Sequence, residues 1–224
     1  MSNTSNVVKL RGARAMIADK MAKSLQESAQ LTHHASCDVS SLLAEKNKLA
    51  DTGNKVSVED LLMLSVVEVL QRHADINGTV VEKEIHLPDE VDLCVAIALP
   101  GNLLAAPAIF GANKMDVFEL RAARQDLSDR ARNNKLSVTE MTGGTFTISN
   151  LGLTRVEHFT PILNTPQIGI LGVGCITETA VREGDSLVWK PIMGLSLTFD
   201  HRAIDGGPAA NFLTDLCNTI EGTT

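Results

Sequence analysis

The segment Leu195–Asn211 reads LSLTFDHRAIDGGPAAN and sets His201 directly after a strand-like run. Asp200 and Arg202 flank the histidine, and Asp205 follows four residues later. Gly206, Gly207 and Pro208 then break the chain before another apolar segment. An imidazole takes up and returns a proton near neutral pH, and one held at the junction of two rigid elements suits a general base. The same residues also fit a purely local role. In that role His201 satisfies turn hydrogen bonds, Asp205 caps the entry to a helix, and Asp200 pairs with Arg202 to fix the loop. A second polar stretch, GGTFTISNLG at 143–152, begins with a glycine turn and alternates like a strand through Ser149. It lacks the G-K-[ST] ending of a phosphate-binding loop and the G-x-S-x-G pattern of a nucleophilic serine. Ser149 has no sequence neighbour that would activate it. His33 and His34 are adjacent, but no set of metal ligands accompanies them, so they read as structural and no metal is expected.

The elements that must hold these residues follow from periodicity. Ala13, Met16, Ile17, Met21 and Leu25 mark a helix over 13–30, and 35–39 is extended. Asp38 or Ser40 can cap a helix over 40–50. Ser57 with Asp60 resembles a capping pair for a helix over 58–73, whose broad apolar coverage predicts burial on most sides. The period then changes to that of strands over 80–87, 91–99 and 103–110. Asp116 caps an amphipathic helix to about Asn133, with Val117, Leu120, Ala123 and Leu127 on one face. Further strands are predicted at 146–149, 167–173, 176–182, 186–189 and 192–199, and a last helix from 207 or 208 to about 220. The sum is an α+β layer architecture with no internal repeat and no division into two domains. Residues 1–8 are polar and read as a flexible N-terminal segment, leaving 9–224 as one domain.

The chain has 224 residues, enough for one sizeable core, and 44% of them are apolar. The formal charge of −7 gives no cationic footprint for nucleic acid. With one Trp and no Tyr, the core should be aliphatic. No apolar window is long enough for a membrane span, and MSNTSNVVKL lacks the features of a secretory signal. Cys37, Cys94, Cys175 and Cys217 are scattered, with no C-x-x-C pair, and read as reduced, packed thiols of a cytoplasmic protein.

Four ordered segments carry a family resemblance: LRGARAMIADKMAKS at 10–24, GGTFTISNLG at 143–152, PQIGILGVG at 166–174 and DHRAIDG at 200–206. Together they are similar to the catalytic domain of the dihydrolipoamide acyltransferases (E2) of 2-oxo acid dehydrogenase complexes. The resemblance runs from about residue 8 to about 220. It implies a two-layer fold like that of chloramphenicol acetyltransferase, with helices packed on a mixed sheet. It also implies transfer of an acyl group between dihydrolipoamide and coenzyme A by direct attack of a thiol on a thioester. His201 stands in the place of the general base, Ser149 in that of the donor to the oxyanion, and Asp205 in a supporting position. Lys46, Ser57, Ser128, Asn150 and Gly174, with Ser149, are candidates to contact coenzyme A.

Two departures accompany the match. Lys46 falls where relatives often carry arginine, so the charge persists without the bidentate fork. GNLLAAP at 101–107 replaces the usual DGLLVP loop, which affects how the nucleotide end of coenzyme A would be held. Dihydrolipoamide would come free or on a lipoyl domain absent from this sequence. The resemblance further implies a homotrimer with sites at subunit boundaries, itself able to build 24-mer or 60-mer cores. Lipoyl domains and dehydrogenase components would be its partners, with no nucleic acid or membrane. An acetyl or other small acyl group is expected, because no residue in the sequence can be named as cation for a distal carboxylate. Two other readings stay open: a stand-alone coenzyme A-dependent acyltransferase with a non-lipoyl acceptor, and a non-catalytic oligomeric core.

Overall fold

The computed structural model describes residues 7–101 and 103–222. Residues 1–6, most of the segment read as flexible, and Asn102 of the GNLLAAP loop lie outside the described residues. Its centre is a six-stranded sheet in the order β1-β10-β9-β8-β4-β7. These are β1 (Gln30–Asp38), β4 (Leu93–Val95), β7 (Ala108–Ile109), β8 (Phe146–Asn150), β9 (Gly169–Glu183) and β10 (Ser186–Asp200). Strands β1, β10 and β9 pair antiparallel, β8 runs parallel to both β9 and β4, and β7 closes the edge antiparallel to β4. The sheet is therefore mixed, as expected. Two small hairpins stand outside it: β2 (Thr79–Val81) with β3 (Glu84–His86), and β5 (Ile97–Leu99) with β6 (Leu103–Ala105).

Helix α3 (Val58–Arg72) explains its own composition. Ser57 and Asp60 form the expected capping box. The helix then packs against α2 (Ser40–Asp51), α4 (Val117–Arg132) and α6 (Gly206–Glu221), so apolar residues are needed nearly all round. Helix α4 starts in a second capping box, made by Asp116 and Glu119. Helix α6 buries Ala209, Phe212, Leu213, Leu216 and Ile220 at helical spacing and ends at Gly222 with φ 72°. Few aromatic side chains enter this layer, but Phe146, Phe199 and Phe212 are its largest fully buried residues. Phe146 and Phe212 lie 5.7 Å apart, joining β8 to α6.

On the other sheet face lie α1 (Ala13–Glu27) and the segment 156–165. Ser24 on α1 is buried and donates from Oγ to the Leu163 carbonyl at 2.7 Å. Gly174 and Gly194 let this segment come close: a Cβ at either would sit 1.9 Å from the Glu157 carbonyl oxygen.

Several boundaries differ from the sequence reading. Helix α1 stops at Glu27, and all of Gln30–Asp38 is strand, because each residue from Gln30 to Asp38 pairs with β10. The strands expected at 167–173 and 176–182 are one 15-residue strand, and so are those at 186–189 and 192–199. Each runs as one strand because its partner is equally long; the pairing shifts register once, at a bulge where Gly174 and Cys175 face Gly194, and Pro191 leaves β10 continuous. The strand expected over 80–87 is the β2–β3 hairpin, turned at Glu82 with φ 54°. A short helix, α5 (Val138–Thr142), starts in a Ser137–Glu140 capping box that the sequence reading passed over.

Candidate active site

His201 is the first residue beyond β10, and its amide donates to the Ala29 carbonyl at 2.9 Å. The loop is held from below by Asp200, which is fully buried. Its carboxylate accepts from the Ala29 amide at 3.2 Å, the Arg202 amide at 3.1 Å and the Arg202 Nη2 at 2.6 Å. The ion pair expected between these two residues is thus formed. Burial acts to raise the Asp200 pKa, but the hydrogen bonds from Arg202 and Ala29 outweigh it and the net shift is downward. A depressed carboxylate pKa adds stability above the unfolded value, near 4, and that stability disappears as pH falls through the folded value. Asp200→Asn is therefore expected to cost about 1–3 kcal/mol at pH 7. Its difference from wild type should shrink below about pH 4. Urea denaturation at fixed protein concentration at both pH values checks this; a pH-independent difference would contradict it.

The His201 ring is exposed and tilted against Phe199, with centroids 5.9 Å apart. Its Nδ1 lies 3.6 Å from Asp205 Oδ1, while Nε2 has no protein partner among the described residues. Asp205 occupies the N-cap position of α6 but makes no side-chain capping bond. Its carboxylate is free to face the imidazole. This sets a carboxylate beside one ring nitrogen, beyond hydrogen-bond distance, and leaves the other nitrogen open to a substrate proton.

Ser149 and Asn150 are consecutive on β8, so they point to opposite faces of the sheet. Ser149 and Thr147 line a cavity of about 270 Å³ beneath α1 and the 156–165 segment. Asn150 lines a cavity of about 350 Å³ on the helical face, together with Lys46, Ser57 and Gly174. Four candidate coenzyme A contacts thus come together. Ser128 does not line this cavity. Arg124, one turn earlier on α4, does, and the sequence reading missed it. The arginine reaches across to α3, with Nε donating to Asp60 Oδ1 at 2.8 Å and Nη1 lying 3.2 Å from Glu59 Oε2. Its charge is spent on these carboxylates. Lys46 has no carboxylate at ion-pair distance among the described residues and supplies the open cation of the cavity. Gly174 also admits the Glu157 backbone, so its small size has a structural reason.

His201 and Ser149 do not meet within one chain. Strand pairing puts Ser149 level with Gly172 and Ser196, two strands from β10 and five residues short of His201. That is about 16 Å along the strands and about 10 Å across them. His33 and His34 are occupied in packing. His33 meets the Phe199 ring edge-on at 5.0 Å, and His34 Nδ1 lies 2.9 Å from Ser196 Oγ. No group of three or more metal-ligating side chains occurs among the described residues. None of the four cysteines is in a disulfide, and no described helix is long and apolar enough to cross a membrane.

Residues 2–224 match the family model of the 2-oxoacid dehydrogenases acyltransferase (catalytic domain). The chain belongs to this family. Among curated relatives of this acyltransferase domain is the dihydrolipoyllysine-residue acetyltransferase component of the acetoin cleaving system of Bacillus subtilis (strain 168). It is 38% identical over 219 residues, covering 96% of this chain and 55% of that protein. The chain spans about half the length of the curated relatives it matches. Among solved structures, the dihydrolipoamide acetyltransferase of Azotobacter vinelandii superposes with a TM-score of 0.91 at 28% identity, covering 98% of this chain and 92% of that one. The catalytic roles investigated in that enzyme are those of a serine, a histidine 52 residues later and an asparagine four beyond it. Ser149, His201 and Asp205 have the same spacing, with a carboxylate in place of the amide. A chloramphenicol acetyltransferase superposes with a TM-score of 0.58 at 14% identity, covering 97% of this chain and 98% of that one, which identifies the shared fold.

Proposed function

We propose that this acyltransferase domain moves an acyl group between the thiols of dihydrolipoamide and coenzyme A. The observation that carries the reading is the His201 side chain, with Nδ1 turned to Asp205 and Nε2 open, at the same spacing from Ser149 as in the Azotobacter enzyme. Nε2 takes the proton of the attacking thiol as its sulfur bonds to the thioester carbon. The carbonyl oxygen becomes an oxyanion, and the Ser149 hydroxyl donates to it. Collapse breaks the original carbon–sulfur bond, and the imidazolium returns its proton to the departing thiolate. No covalent enzyme intermediate is formed. Asp205 holds the ring orientation and favours the imidazolium, without itself carrying the proton.

The cavity bearing Lys46, Ser57, Asn150 and Gly174 takes coenzyme A, with Lys46 as the cation for a phosphate. Ser57 Oγ is already bonded to Asp60, so it contributes less than the sequence suggested. Ser128 is not placed to contribute from α4. Ser149 and His201 are too far apart to act on one carbonyl within a chain, so each site joins His201 of one copy to Ser149 of a neighbour. A homotrimer satisfies this with one contact type repeated by rotation. Assembly into 24-mer or 60-mer cores, and service by lipoyl domains and dehydrogenase components, extend the same reading.

The test is subunit mixing. H201A and S149A chains, each inactive alone, are exchanged in equal amounts and assayed with acetyl-coenzyme A and dihydrolipoamide. In a cyclic assembly, random mixing joins the two intact residues at about a quarter of the interfaces. Activity should recover to about that share of wild type. No recovery after demonstrated exchange would rule out the shared site. A non-thiol acceptor used in preference to dihydrolipoamide would point instead to a stand-alone acyltransferase.

A further inference from the structure

The cavity behind Ser149 contains one charged side chain, Lys20. The rest of its lining is neutral and largely apolar, with Phe159, Ile162, Ile170 and Leu104 among the walls. Lys20 is placed there by its helix. Ser24, one turn later on the same face of α1, is tied to the Leu163 carbonyl, and Lys20 Nζ donates to the next residue, Asn164, at Oδ1 over 2.6 Å. Asn164 Nδ2 in turn donates to Thr147 Oγ1 at 3.3 Å. Thr147 is two residues before Ser149 on the same face of β8, about 7 Å away along the strand. A chain of hydrogen bonds therefore ties the ammonium to the strand that carries Ser149, and both side chains line the same cavity.

Among the described residues, no carboxylate comes within ion-pair distance of that ammonium. Lys20 also borders a larger cleft of about 650 Å³ whose other charged side chains are Lys23, Glu27, Glu82 and Arg202; no ion pair joins Lys20 to Glu27 or Glu82. There Lys23 lies 3.7 Å from Glu27, and Arg202 is committed to Asp200. Lys20 has no carboxylate within ion-pair distance among the described residues, and its one polar partner is the neutral amide of Asn164. Although the side chain retains solvent contact, desolvation by the surrounding protein lowers its pKa. A carboxylate arriving in the cavity would restore what the ammonium has lost. The apolar walls would meanwhile cover the methylene groups between that carboxylate and the thioester.

We propose that Lys20 receives the distal carboxylate of a dicarboxylic acyl group of about four carbons when its thioester carbonyl sits at Ser149. The sequence alone offered no such cation, and acetyl was expected for that reason. The inference rests on the acyl-transfer reading and adds the acyl class to it. The carboxylate takes no part in the bond exchange; its contribution is to binding and orientation, so it acts on kcat/KM.

The experiment compares succinyl-, butyryl- and acetyl-coenzyme A as donors to dihydrolipoamide, for wild type and Lys20→Met, with melting temperatures to confirm folding. Butyryl has the length of succinyl without its charge. Wild type should use succinyl about 10- to 100-fold better than butyryl, as one charge-assisted contact provides. Lys20→Met should abolish that preference while leaving butyryl turnover within about threefold of wild type. Equal or poorer use of succinyl by wild type would overturn the inference and leave acyl transfer standing. Equal loss with all three donors in Lys20→Met would also overturn it, since Lys20 would then support the site as a whole. A last arm replaces dihydrolipoamide with dihydrolipoate. Preference for that acid, without donor discrimination, would assign the carboxylate to the acceptor and overturn the assignment to the acyl group. No turnover with any donor would remove both readings together.

Discussion

His201→Ala is expected to assemble and to lose acyl transfer by about 10²–10⁴-fold, the range for removing a positioned general base. The fold should survive because the loop is built below the imidazole, by Asp200, Arg202 and the Ala29 backbone. The exposed ring adds contact mainly with Phe199 and Asp205. The loss should fall on kcat and kcat/KM alike, since proton removal occurs only on the way to the transition state. Raising pH should restore part of the rate, because more of the attacking thiol is then already ionised. Near-normal turnover in a correctly assembled variant would end the case for His201 as base. His201→Asn is the companion variant, keeping a polar group in the loop.

Ser149→Ala should reduce turnover by about 10²–10³-fold through loss of a single oxyanion donor. The hydroxyl belongs to the wall of a cavity, and β8 is held by pairing on both sides, so structural damage should be slight. The diagnostic is where the effect lands. A transition-state donor changes kcat and leaves KM for the thiol nearly fixed. A raised KM with unchanged kcat would show instead that Ser149 binds the ground-state substrate.

The elements with a strong local signal were readable in the sequence. The Ser57–Asp60 box and the apolar α3 that follows it are one example, and the Asp116 cap of α4 is another. Long-range pairing was not readable. Thr32, His33 and His34 look like the end of a helix or a loop, yet Thr198, Leu197 and Ser196 lie opposite them and make them strand. No local pattern announces a partner 160 residues away. The site divides along the same line. His201 stood out from its own segment, whereas Ser149 and Asp205 took their roles from the family resemblance that short motifs carry. Arg124 and Lys20 could not be found that way, because their meaning lies in which helix faces which cavity. Arg124 lies four residues before Ser128, so the sequence pointed to the correct helix but not to the residue that meets α3.

The opposite facing of Ser149 and Asn150 makes the site sensitive to parity. β8 follows the Gly143–Gly144 turn and is clamped in register between β4 and β9. Adding one residue between that turn and Ser149 while the flanking pairings hold would rotate every later side chain to the other face. The hydroxyl would then point toward the helices and the amide toward α1, so one insertion would damage both cavities at once. An insertion of two would carry the residues along the strand but return them to their own sides. Length variation upstream of this strand is therefore constrained by evenness as well as by size, and a loop change that leaves the fold intact can still exchange the two faces on which the substrates depend.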